Sequence, residues 1–81
     1  MDQVDQTQQD LPTRLRRALE LVYAVDGVVG ARVWHWPGRV AVGVTVSAAC
    51  APSDALRRVE LAVAPLRYPD ETWEFGLLGA A

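Results

Sequence analysis

His35, Cys50 and the acids Asp70, Glu71 and Glu74 are the residues whose types could carry catalysis in this 81-residue chain. His35 is the single histidine. To act as a base it needs a serine or cysteine nucleophile close by, and to hold zinc it needs further soft ligands; the sequence around it offers neither. It is expected on the inward face of a strand, at the sheet's end, as a partly buried structural imidazole. Cys50 lies in an Ala-rich linker without a basic neighbour that would make it a thiolate, so it reads as an inert small residue. The three acids read as a solvated turn, because no apolar pocket is evident to raise the pKa of one above the others. The expectation is a protein without catalytic residues, metal site or cofactor.

A different chemistry is offered by Arg32, Trp34, Trp36 and Arg39, which flank the pair Pro37-Gly38. Indoles and guanidinium groups dominate the energetic centres of protein interfaces, and an arginine stacks readily on an indole face. Whether these side chains form a surface depends on the elements that carry them.

Three segments have strand periodicity. Val40, Val42, Val44 and Val46 alternate with Arg39, Ala41, Gly43, Thr45 and Ser47, as in a half-buried strand. Val29, Ala31 and Val33 alternate likewise before the turn. With Trp36 and Arg39 flanking Pro37-Gly38, His35 faces Val40, Trp34 faces Ala41 and Arg32 faces Gly43. A Pro-Gly pair favours a type II turn, whereas two-residue hairpins prefer primed turns, so a slightly longer loop is an alternative. The third strand spans Thr72 to Leu78, with Trp73, Phe75 and Leu77 on one side, and follows a turn at Tyr68-Pro69-Asp70-Glu71.

Two segments have helical spacing. Leu11, Leu15, Ala18 or Leu19, Val22 and Val25 recur over about 12 to 25, after Asp10 as a capping acceptor and Pro12 in the first turn; Asp26-Gly27 stops them. Ser53 can cap a second helix with Leu56, Val59, Val63 and Leu66 on one side, ending near Ala64 because Pro65 follows. Residues 1 to 10 are polar and acidic and read as a mobile tail before one domain over 11 to 81. The order predicts an α+β fold, a two-layer αββαβ sandwich with both helices on one face of a three-stranded sheet. The valines then point to the helices, and neighbouring residues of a strand face opposite sides, so Trp34 and Trp36 share the outer face with Arg32 and Arg39. A contact surface is favoured there over a self-contained aromatic ladder, since a bare sheet face of this kind is an exposed apolar patch.

Composition narrows the partners. Eight basic residues, all arginine, stand against ten acids, a net charge of -2 that gives the chain no general attraction to nucleic acid or anionic lipid. One cysteine excludes an internal disulfide. A chain this short removes only about 60% of its unfolded surface from water, which leaves oligomerisation as a source of support. No window approaches the roughly 20 apolar residues of a membrane helix. The acidic start lacks the basic and apolar segments of a secretory signal, so a cytosolic protein is expected. Gly27-Val-Val-Gly30 matches the pattern of the backbone-clamping loop of KH domains, but here it joins a helix to a strand and reads as helix termination. Base stacking of RNA on the open sheet face is a further alternative that the acidic total disfavours.

The runs "LVYAVDGVVGARV", "VAVGVTV" and "LRRVELAVAPLRYPDETWEFGLL" resemble the ring-building motif of the inner-membrane ring proteins of type III secretion systems and the flagellar basal body, over roughly residues 12 to 78. The resemblance implies a non-catalytic module that assembles side by side, with the helices of one copy against the sheet of the next. That role would use Arg32, Trp34, Trp36 and Arg39. "GVVGARVWHW" is also similar to a region of the cytosolic domain of cation diffusion facilitator transporters, which has the same element order. This second resemblance implies metal-responsive dimerisation, with His35 as the one candidate ligand. The expected partner is another copy of the chain or another protein.

Overall fold

A computed structural model describes residues 11–78; the expected tail and the Asp10 cap lie outside the described residues. Helix α1 spans Thr13–Tyr23, with Pro12 as its N-cap residue and Ala24 at its end. Leu15, Ala18 and Val22 form its fully buried stripe, continued backward by Leu11, while Leu19 and Val25 are partly buried beside it. Gly27 adopts φ +92°, which a side chain rarely tolerates, and so turns the chain out of the helix into the sheet.

Strands β1 (Val28–Trp36) and β2 (Arg39–Val46) form an antiparallel hairpin in which Trp36 pairs with Arg39, His35 with Val40, Trp34 with Ala41 and Arg32 with Gly43. The register is the one the alternation predicts. The turn has only two residues, and Gly38 supplies φ +75°, the positive value required at the third position of a type II turn. An irregularity between Val28 and Gly30 corrects the expectation for Val29. Val28 points into the core, whereas Val29 is 62% exposed, because the extra residue shifts the alternation at that end of β1.

Helix α2 spans Pro52–Val63 and continues as a 3-10 turn, Ala64–Leu66. It begins earlier than a Ser53 cap would place it. Ala51 is the N-cap residue and Pro52, whose fixed φ suits the first helical position, starts the helix. Consequently Ala55, Val59 and Val63 are the buried positions and Leu56 is only partly buried.

Strand β3 (Thr72–Leu77) lies parallel to β2, giving the order β1-β2-β3. The fold is thus an α+β sandwich with a mixed sheet and both helices packed on its valine face. Val40, Val42 and Val44 of the central strand are at most 2% exposed. Each valine so withdrawn from water contributes about 1.5 kcal/mol or more of transfer free energy.

One group departs from the solvated turn expected at residues 70 to 74. Glu71 is 8% exposed and meets the Arg14 guanidinium in a bidentate pair at 2.6 and 3.0 Å. It also accepts the Trp73 indole N–H at 2.9 Å and the Tyr68 amide at 3.3 Å. Arg14 in turn donates to the Leu66 carbonyl at 2.7 Å and stacks 3.7 Å above the Tyr68 ring. The hydrogen bonds from Arg14, foremost, hold the Glu71 carboxyl down from 4.5 to about 2, against the opposing effect of burial. The clamp fastens α1 to the turn that launches β3.

Candidate contact surface

The sheet's second face carries no further layer among the described residues, since both helices pack on the valine side. Alternation from the buried valines places Arg32, Trp34 and Trp36 of β1 on this outer face, with Arg39, Ala41 and Gly43 of β2 opposite them. The four residues singled out in the sequence therefore share one face.

At the hairpin end, Trp36 is 44% exposed and the Arg39 guanidinium lies 4.9 Å from its ring centroid. Arg39 also donates to Glu74 of β3 at 3.0 Å, so a Trp–Arg–Glu row crosses all three strands. Both charged side chains are about half exposed, and such a pair contributes little to stability, roughly 0–1 kcal/mol. Arg32 is partly buried, and no ion pair forms with it among the described residues.

One row further along, Trp34 lies over glycine rather than over a second large side chain. A Cβ on Gly43 would sit 3.2 Å from the Trp34 ring and 2.9 Å from Leu78 Cγ, so these two side chains converge above the bare backbone. Leu78 is held there by donating its amide to the Val44 carbonyl at 2.8 Å. Beside them, Gly76 of β3 pairs with Gly43, and nothing occupies the space above it within 4 Å of a would-be Cβ. The result is a shallow groove of about 300 Å³, walled by Trp34, Leu78 and Glu74 and floored by Ala41, Gly43 and Gly76. Glu74 is its one charged lining group.

Alternation in the sequence already puts Gly43 on the outer face, opposite Arg32; what sequence reasoning did not find is Leu78 as a wall of this surface and Gly76 directly beside Gly43. The adjacency of the two glycines depends on the parallel pairing of β3 with β2, which periodicity within one strand does not reveal.

The other candidates lie elsewhere. His35 is exposed, contrary to the partly buried position expected. It has the core-facing parity of Val33 but lies next to the turn, at the end of the edge strand β1. On this edge strand His35 is left uncovered, while its cross-strand partner Val40 on the central strand is fully buried. Cys50 is partly buried with its side chain against Gly27. Among the described residues, no three of His, Cys, Asp and Glu gather where they could hold a metal ion, and no helix is long and apolar enough to cross a membrane.

Fold and surface together define a small two-layer α+β sandwich with an open, partly aromatic sheet face. The chain matches no protein-family model, no characterised protein and no solved structure at a significant level.

Proposed function

We propose that this protein is a non-catalytic self-associating module of the ring-building type, in which the open sheet face of one copy receives helix α2 of the next. The observation that carries the reading is a complementary pair of patches on one molecule. The outer face offers an apolar groove bordered by a single acid, Glu74. Helix α2 offers Leu61, at 68% the most exposed large apolar side chain of the described residues, with the exposed cations Arg57 and Arg58 one turn before it. A leucine entering the open space over Gly76, beside Trp34 and Leu78, would bring one of those arginines to Glu74.

Donor and acceptor are different patches, so the contact runs head to tail and extends beyond a dimer, closing into a ring where the rotation permits. The resemblance to ring-building motifs supports the same arrangement. The groove contains no nucleophile and no acid–base pair, which favours binding over catalysis.

The test is sedimentation velocity over a range of concentrations. The parent should form species larger than a dimer, and these should disappear both in Trp34→Ala/Trp36→Ala and in Leu61→Glu, with far-UV circular dichroism unchanged. Leu61 is exposed, so its replacement leaves the core intact even if the double tryptophan variant unfolds. A parent that never exceeds a dimer, or a Leu61→Glu variant that assembles as the parent does, rejects the reading.

A further inference from the structure

The two edges of the sheet are treated differently. On β1, the Tyr23 hydroxyl accepts the Ala31 amide at 3.2 Å and donates to the Ala31 carbonyl at 3.4 Å, occupying the edge-facing groups of that residue. The irregularity between Val28 and Gly30 breaks the same edge again. Natural sheets use such devices to prevent strand addition.

Strand β3 has none of them. Its six residues contain no proline, no cation and no bulge, and no segment among the described residues pairs with its far side. The Thr72 and Leu78 amides donate inward to Gly38 and Val44 of the hairpin. By the strand repeat, the amides and carbonyls of Trp73, Phe75 and Leu77 therefore point outward. Glu74, the one charged residue of the strand, is drawn back over β2 by Arg39. Leu77 remains 49% exposed on the helix side, next in line to the stacked rings of Trp73 and Phe75.

The geometry points to a second copy of this chain as the occupant, with β3 pairing antiparallel to its own counterpart about a two-fold axis at Phe75. In that register Phe75 faces Phe75 and Trp73 faces Leu77, so all three outward-pointing residues of each strand are hydrogen-bonded. The exposed leucine then covers the partner's indole. On the other face Glu74 lies opposite the partner's Gly76, where the space is open. Shifting the centre to Glu74 sets two carboxylates directly opposite each other, an unfavourable cross-strand pair. Shifting it the other way loses a strand pair. The product is a six-stranded sheet with all helices on one side. This contact goes beyond the head-to-tail reading, joins the same patch on both copies about a two-fold axis, and does not use Leu61.

Gly76 tests the register. Its φ is not positive and its Cβ position is empty, so Gly76→Glu and Gly76→Lys should both fold. Made in the Leu61→Glu background, which removes the head-to-tail contact, they report on the edge alone. Sedimentation equilibrium should show a dimer for Leu61→Glu itself. Gly76→Glu, facing the partner's Glu74 twice per dimer, should weaken it about threefold to thirtyfold, and Gly76→Lys should tighten it. Gly76→Ala should dimerise as its parent does. A monomeric Leu61→Glu protein, or charge variants that shift the dimer in the same direction or not at all, overturns the proposal. Either result leaves the head-to-tail reading standing or falling on its own test.

Discussion

Acid should weaken this fold through one carboxyl group, Glu71. Its pKa is lowered from 4.5 to about 2 by the Arg14 clamp. A group whose folded pKa is depressed contributes stability that is complete above its unfolded value, here 4.5, and is lost as pH falls toward its folded value. The full difference corresponds to about 3 kcal/mol, of which about 2 kcal/mol is withdrawn between pH 7 and pH 3. Arg14 is 20% exposed, so solvent screening reduces the measurable loss to about 1–2 kcal/mol. Urea unfolding of the parent and of Glu71→Gln at both pH values measures it. At pH 7 the variant should be less stable by about 1–3 kcal/mol, since it loses charge-assisted bonds to partly buried donors. Its stability should also fall less than the parent's between pH 7 and pH 3. Equal losses in the two proteins would show that Glu71 is not the group responsible, and that the clamp is an ordinary surface pair.

Two further substitutions probe the framework. Tyr23→Phe deletes the hydroxyl that satisfies both edge-facing groups of Ala31; it should cost about 0.5–1.5 kcal/mol and speed hydrogen exchange of the Ala31 amide, and unchanged exchange would refute the seal. Gly27→Ala imposes a side chain at φ +92° and drives its Cβ into the Cys50 side chain. It should lower stability by about 1–3 kcal/mol in thermal or urea unfolding, with Cys50→Ala restoring only the steric part because the backbone strain remains.

The elements were legible where one periodicity acts alone. Val40, Val42 and Val44 alternate without interruption, and the hairpin register followed from them and from the flanking of Pro37-Gly38. The helix stripes were equally plain, although an N-terminal proline outweighed Ser53 in setting the start of α2. Alternation failed at Val29, where an added residue changed the parity, and could not foresee how His35 would be left uncovered. What lay beyond reach were the interactions between residues far apart in the chain. Arg14 and Glu71 are separated by 57 positions, and nothing local marks either as the other's partner. The groove is of the same kind, because it needs Gly43 and Gly76 side by side on strands joined through α2.

Those two glycines connect the candidate surfaces. A side chain at position 43 would push against Leu78 and Trp34, and one at position 76 would enter the open space beside Glu74. Gly43 lets Trp34 and Leu78 close over the centre of the outer face, and Gly76 leaves the space beside them open, which is what makes a groove rather than a flat apolar sheet. A glycine inside a strand weakens it, having no side chain to pack and more chain entropy to lose. The sheet bears that cost twice in adjacent positions, one of them on its central strand. The core gains nothing from either glycine, since both point away from the helices. The room above Gly43 is filled by Trp34 and Leu78 of the same chain, whereas the room above Gly76 is open to something that comes to the outer face or to the free edge of β3, and in the proposed assembly both arrivals are further copies of the same chain.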